Sequence, residues 1–378
     1  MKAGVYIHIP FCQSRCIYCG FYSTTRSGIK ARYVDALIRE MRMRQKEFSS
    51  IGNADDPCTL DTIYVGGGTP STLSCGNLSR IISTARSLFG GNPREITVEM
   101  NPDDVSKEMV QTLKSAGANR ISIGIQTFDN ERLRFIRRRH SAEQARNAVI
   151  TIREGGIDNI SIDLMFGFPG ETLEDWKADI EEAMAIRPNH ISAYSLMYEE
   201  GTPLFNKLER GEVEAIDEDT SLAMYSALID VMAANGYEHY EISNFALPGF
   251  RSLHNSSYWH DTPYLGFGAS AHSYDKQTRS WNIADLEAYI ENIEKGKRPY
   301  GYEQIDADTH YNDLVTTALR TCEGLDTSIL PPPYRKFALA SSQKDINNNL
   351  LELCGNRLRL TRKGLFVSDM VMSDLIKV

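Results

Sequence analysis

Short β-branched runs alternate with longer stretches of helical periodicity along the first 200 residues. The runs VYIHI (5–9), TIYV (62–65), EITVEM (95–100), RISIGI (120–125), NISIDLMF (159–166) and HISAYSL (190–196) predict strands, being short and rich in Val and Ile. Between them lie GIKARYVDALIREMRMRQKEF, NLSRIISTARSLF, SKEMVQTLKSAG, AEQARNAVITIREGG and TLEDWKADIEEAMAI. Each repeats apolar residues three and four apart, often after a Ser, Thr or Asn, as an amphipathic helix requires. Gly117 and Gly155 stand where two of them should stop.

Strands alternating with helices of this length predict parallel βα units with right-handed crossovers. Six such strands are two short of a complete eight-unit barrel, so a six-strand partial barrel and an open doubly wound sheet both fit. In either, ligands sit at the C-terminal ends of the strands. Beyond residue 200 the alternation stops. A long helix is expected over 217–235, then an aromatic-rich irregular region through 282, and a small α-rich appendage over 308–378. The last segment, NRLRLTRKGLFVSDMVMSDLIKV, reads as a short strand, a Thr-initiated turn and a helix, half of a winged-helix unit used here for packing. The expected domains are therefore a barrel over 1–235, an aromatic-rich connection over 236–300 and a small α-rich domain over 301–378.

Composition narrows the partners. The chain is 42% hydrophobic and 24% charged, with no low-complexity tract, and its net charge of −9 repels phosphate backbones, so no nucleic-acid partner is expected. The one dense basic run, Arg137-Arg138-Arg139-His140, reads mainly as a solvated helix face from which a single arginine could point into a site. No apolar run approaches the roughly 18 residues that span a bilayer. The first residues, MKAGVYIHIPFC, are interrupted by His8 and Pro10 and do not read as a signal peptide. A cytoplasmic location follows as the expectation, and in that reducing compartment clustered cysteines mean metal or redox chemistry.

Three of the seven cysteines, Cys12, Cys16 and Cys19, fall within eight residues directly after the first strand. Disulfide pairing would leave one over, and a four-thiolate zinc site would lack a ligand. Cys-x3-Cys-x2-Cys suits three irons of a [4Fe–4S] cube, whose fourth iron stays open to the amine and carboxylate of a substrate. Zinc with a distant ligand, or coincidence, are the alternatives. Cys58, Cys75, Cys322 and Cys354 are scattered and read as structural.

With Tyr18 before the last cysteine, this motif resembles that of the radical S-adenosylmethionine (SAM) superfamily. The resemblance implies a partial (β/α)6 barrel with a smaller, mainly α C-terminal domain, and a [4Fe–4S] cluster whose electron cleaves SAM to a 5′-deoxyadenosyl radical. The longer stretches YIHIPFCQSRCIYCGF, VGGGTPSTL (65–73), EMNP (99–102), SIGIQTF (122–128), IDLMFGFPG (162–170) and HNSSYW (254–259) resemble the oxygen-independent coproporphyrinogen oxidase class, which includes the HemN oxidases and the HemW heme chaperones.

The remaining site residues follow. In Gly66-Gly67-Gly68-Thr69-Pro70 the glycines admit close approach of backbone to ligand, although a tight βα turn would use them too. The resemblance implies that Gly67, Gly68 and Thr69 contact the methionine end of SAM. Glu99 ends the third strand, Gln126 the fourth, and Asp163 lies in the fifth. Each alone could be a satisfied core residue or a helix cap; three on successive strands point to a ligand, because polar groups there are expensive to desolvate. By resemblance they hold the ribose, carboxylate and neighbouring groups of SAM, joined by Arg138, Tyr6 and Tyr18. No catalytic residue is assigned.

Two features separate the chain from the oxidases of the class, which resemble Cys-x3-Cys-x2-Cys-x-Cys and carry an N-terminal extension. Here Phe21 stands at the fourth-cysteine position, and the sequence begins eleven residues before Cys12. Both features resemble the heme chaperones, as does HNSSYW. The expected function is a heme chaperone that binds a cluster, SAM and heme and delivers heme to acceptor proteins without oxidase activity. The alternative is anaerobic oxidative decarboxylation of coproporphyrinogen III to protoporphyrinogen IX; chemistry on another tetrapyrrole is a third. Expected partners are heme or another tetrapyrrole, heme acceptors, a flavodoxin or ferredoxin where SAM is cleaved, a second copy in a homodimer, and peripherally a membrane. His254, with Tyr258 and Trp259 nearby, is a candidate heme contact, weighed against a hydrogen-bonded corner. His8 reads as a local hydrogen-bonding residue.

Overall fold

The computed structural model describes residues 1–53 and 55–377. Six parallel strands form its centre: β1 (Lys2–Ile9), β2 (Thr59–Gly67), β3 (Glu95–Met100), β4 (Arg120–Gln126), β5 (Asn159–Phe166) and β6 (His190–Ser195). Each pairs with the next in register, for example Val5 with Ile63 and Ile121 with Ile160. Their apolar residues are almost fully buried because helices cover one face and strand follows strand within a partial barrel. Helices Cys75–Phe89, Lys107–Ala116, Ala142–Glu154 and Leu173–Ile186 begin at Ser74, Ser106, Ser141 and Thr172, whose hydroxyls accept from backbone N–H groups of the first turn. Gly117 closes its helix in the left-handed region (φ 103°), whereas Gly155 is still right-handed and Gly156 (φ 81°) makes the turn.

The region expected to be irregular is sheet. β7 (Glu238–Glu241) and β8 (Asn244–Ala246) add antiparallel to the β6 edge. On the other side β9 (Tyr264–Phe267) pairs parallel with β1, and β10 (His272–Tyr274), β11 (Thr278–Asn282) and β12 (Tyr300–Gln304) continue antiparallel. The result is a single twelve-stranded sheet. These strands are three to five residues long and carry aromatics without a period of two, which is why the sequence shows no strand pattern there.

A buried polar knot ties β9 to the barrel. Glu40, on helix Lys30–Met43, is fully buried and accepts from Arg44 Nη1 (3.0 Å), the Gly268 N–H (2.9 Å), Asn282 Nδ2 (2.8 Å) and the Tyr289 hydroxyl (2.7 Å). Arg44 in turn donates to the Gly266 carbonyl (2.6 Å) and lies over the Phe267 ring.

Residues beyond 305 build a separate apolar core around Tyr311, Val315, Leu319, Leu358 and Val371. Helices Ala307–Ala318 and Pro332–Ser341 pack with β13 (Leu325–Asp326), β14 (Leu351–Cys354) and β15 (Arg357–Leu360) in the order β13-β15-β14. The chain ends on β15, a Thr361-capped turn of helix and the helix Ser368–Asp374. Among the described residues no helix is long and apolar enough to cross a membrane.

Candidate cofactor site

The cysteine loop leaves β1 and is fastened at several points. The Cys12 N–H donates to the Thr24 carbonyl (2.9 Å) and the Thr24 N–H returns to Pro10 (2.6 Å), closing the loop at its base. Ile17, between two of the cysteines, is buried against Ile136, Met165, Phe168 and Leu204. Its N–H donates to Ile136 (3.4 Å), and the Leu204 N–H donates to its carbonyl (2.9 Å). An apolar anchor thus turns the flanking polar residues toward the strand ends.

Cys12, Cys16 and Cys19 line one cavity of about 240 Å³ at the C-terminal ends of the central strands. Tyr6, Tyr18 and Arg138 face it, as do Gly67, Gly68 and Thr69 after β2. Glu99, Gln126 and Asp163 enter from β3, β4 and β5. Twelve of the thirteen residues singled out by sequence therefore meet in one place.

The chemistry of this donor set suits an iron–sulfur cluster. Thr69 Oγ1 donates to Cys12 Sγ (3.6 Å) and Arg138 Nη1 to Cys16 Sγ (3.8 Å). Burial raises the pKa of Cys19, and neighbouring Cys16 and Cys12 add to it. The glycines let the loop after β2 pack against β1. Gly67 has φ 112°, and a Cβ there would lie 2.5 Å from the His8 ring; a Cβ on Gly68 would come within 3.0 Å of the Ile9 and Phe11 carbonyl oxygens. His8 itself is locked between the Tyr6 hydroxyl (2.9 Å) and the Tyr22 carbonyl (3.0 Å).

Gln126 reaches the cavity through a feature invisible in sequence. It has φ 74°, uncommon for a residue with a Cβ, and sits where the β4–β5 register shifts after Gly124. The basic run is likewise not a helix face. It forms a turn after helix Asn130–Phe135, in which Arg137, Arg138 and Arg139 all line the cavity. Arg139 pairs with Asp103 (2.8 Å) and Asp104 (3.2 Å), and His140 is buried against the Ile125 carbonyl (3.1 Å). Ser14, Arg15 and Asn101, which lie within the quoted motifs but were not singled out, also line the cavity.

His254 is the exception. It is fully buried behind β1 and β2, with Thr62 Oγ1 2.8 Å from Nδ1 and the Tyr258 hydroxyl 2.8 Å from Nε2. Its N–H and that of Leu253 donate to the Glu95 carboxylate (3.0 and 2.9 Å). The structure shows the hydrogen-bonded corner, with both ring nitrogens engaged and none turned toward the cavity.

Two carboxyls of the site hold protons unusually well. Burial raises Glu99 to about 7, the Tyr64 hydroxyl (2.7 Å) and Gly67 N–H (3.0 Å) opposing it, and burial raises Asp163 to about 6. A carboxyl whose folded pKa is raised contributes stability that is complete below its unfolded pKa and is lost as pH rises through the folded value. Glu99→Gln should therefore gain stability relative to wild type between pH 5 and 8, by about 1–2 kcal/mol because water in the cavity screens part of the cost. Melts of the cofactor-free protein across that range test this; parallel pH profiles for the two proteins would contradict it.

Comparison with known proteins agrees with this geometry. Residues 6–183 match the radical SAM superfamily. The heme chaperone HemW of Bacillus subtilis (strain 168) is 38% identical, over 100% of this chain and 99% of that one. The heme chaperone HemW of Lactococcus lactis subsp. lactis (strain IL1403) is 34% identical, over 99% and 97%. Among solved structures, coproporphyrinogen III oxidase (HemN) of Escherichia coli, a radical SAM enzyme, superposes with a TM-score of 0.85 at 22% identity, covering 100% of this chain and 90% of that one; that likeness shows the fold. The fold is that of a radical SAM protein. Within that superfamily the chain belongs to the heme chaperone HemW family. Membership implies a [4Fe–4S] cluster and SAM as cofactors.

Proposed function

We propose that this protein is a heme chaperone of the radical SAM type, binding a [4Fe–4S] cluster through Cys12, Cys16 and Cys19, SAM beside it, and heme for delivery to acceptor proteins. The observation that carries this reading is near-full-length similarity to the HemW heme chaperones, in a chain whose three cysteines converge on one cavity. When bound, the cluster supplies an electron and an open iron that a SAM amine and carboxylate can chelate. The chain's own groups do the positioning. Thr69 and Arg138 donate to two of the cysteine sulfurs, while Gly67 and Gly68 let the loop that carries Thr69 pack against β1. Glu99 and Asp163 line the same cavity from β3 and β5.

Phe21, at the position of the oxidases' fourth cysteine, is 71% exposed at the mouth of this cavity and supports the chaperone reading over the oxidase. Heme titration of the anaerobically reconstituted protein should give a saturable Soret shift near one heme per chain. The same preparation should convert no coproporphyrinogen III to protoporphyrinogen IX in the presence of SAM and reductant. Absence of the Soret shift, or turnover of coproporphyrinogen, would remove the reading.

A further inference from the structure

A second cavity, of about 370 Å³, adjoins the first and shares Tyr18, Cys19, Phe21, Glu99, Ser122, Gln126 and Asp163 with it. Its rim is apolar and open: Phe21, Met197 and Tyr194 are 71%, 62% and 42% exposed. Its wall includes Arg120, the first residue of β4, which is only 1% exposed. The strand period of two sets Arg120 on the same inward face as Ser122 and Gly124. Arg120 Nε and Nη1 are both buried without a hydrogen-bond partner. A buried guanidinium lacking acceptors is costly unless something that binds there supplies them.

The chain's own carboxylates do not. Glu99 is committed to Tyr64 and the Gly67 N–H, and Glu95 to the N–H groups of Leu253 and His254. Asp163 is held by Ser192 and Ser122, and although Arg120 lowers the pKa of Glu99 and Asp163 through its field, neither gives it a hydrogen bond. Ser122, Ser192 and Asn255 provide neutral polar groups on the same cavity. Glu199 also lines the cavity, so what Arg120 lacks is acceptors for its two free nitrogens; with the apolar mouth, that need selects an amphipathic ligand with an apolar body and a carboxylate arm. Arginine is the side chain whose fork matches that carboxylate in two parallel hydrogen bonds.

We propose that Arg120 receives a heme propionate, with the porphyrin lying against Phe21, Tyr194 and Met197. This rests on the heme-chaperone reading and places its ligand in the second cavity, away from His254.

The test compares heme with heme dimethyl ester, whose propionates are blocked, on the anaerobically reconstituted full chain and its Arg120→Met and Arg120→Lys variants. Soret titration reads heme affinity, calorimetry reads SAM affinity, and thermal melts confirm folding. Wild type should bind the ester roughly 10- to 100-fold more weakly than heme, the range expected for losing a charge-assisted hydrogen-bonded pair. Arg120→Met should lose heme affinity by a similar factor, bind the ester as wild type does, and keep SAM affinity. Arg120→Lys, retaining charge without the fork, should fall between. Equal binding of heme and ester by wild type overturns the assignment without need of a variant. So does a loss in Arg120→Met that is equal for heme and ester, or that carries SAM affinity with it. Wild type that binds no heme overturns the chaperone reading and this assignment together; heme binding indifferent to Arg120 overturns the assignment alone.

Discussion

Replacing Cys16 with serine is expected to remove the iron–sulfur cluster while leaving the chain folded. Iron–sulfur clusters are held by thiolate sulfur, for which a neutral serine hydroxyl at this position is a poor substitute. With only three cysteines at the cavity, loss of one leaves two, too few to retain a cube whose fourth corner is already open. The fold has little at stake in this side chain. Cys16 is half-buried, and its sulfur meets the Arg138 guanidinium and the Tyr18 hydroxyl. The loop is held by the Cys12–Thr24 backbone pair and by buried Ile17. Iron and acid-labile sulfide per chain, brown colour and the SAM-perturbed EPR signal should all disappear, with the melting profile of the cofactor-free protein unchanged. Retention of iron and of the EPR signal would refute the ligand assignment.

The second large effect lies far from any cofactor. Glu40→Ala should cost about 3–5 kcal/mol, because it deletes one half of a buried ion pair and strands the other. Arg44 is 4% exposed and would keep its charge with only Glu47, itself partly exposed, as an anionic partner. The Gly268 N–H, Asn282 amide and Tyr289 hydroxyl would lose an acceptor at the same time. The damage should fall on the junction of helix Lys30–Met43 with β9 and β11. Glu40→Gln retains an acceptor of the same shape and should lose less. Denaturant titration of both variants checks this; a Glu40→Ala midpoint within about 1 kcal/mol of wild type would show that the knot is bypassed by water.

Neither Glu40 nor Arg44 stood out in the sequence, for a physical reason. On a helix, GIKARYVDALIREMRM presents Glu40 as one more polar position, and the turn at Gly268, Asn282 on β11 and Tyr289 on the following helix, more than 200 residues away, bury it. The six central strands were legible because Val, Ile and Leu recur at alternate positions, while polar residues between them, such as Glu99, Ser122 and Asp163, line the cavity. The flanking strands were not, because three to five residues at a sheet edge leave too few positions for any period to register. Arg137–His140 misled for a related reason: a run of like charges looks solvated until a turn folds it over a cavity. Gln126 depends on a register shift and a positive φ that no side-chain pattern reports.

By itself, the sequence determined the order of strands and helices, the three-cysteine loop after the first strand, and the polar residues at the ends of β2 to β5. These are encoded in spacing, and spacing survives without a fold. The tertiary structure decided which polar groups are satisfied. His254 finds Thr62, 192 residues away, and Tyr258, and so has no free nitrogen, whereas Arg120 finds no partner for two of its nitrogens and faces a cavity. Hydrogen-bond saturation depends on atoms brought together from distant parts of the chain, so it can be counted only once the chain is folded.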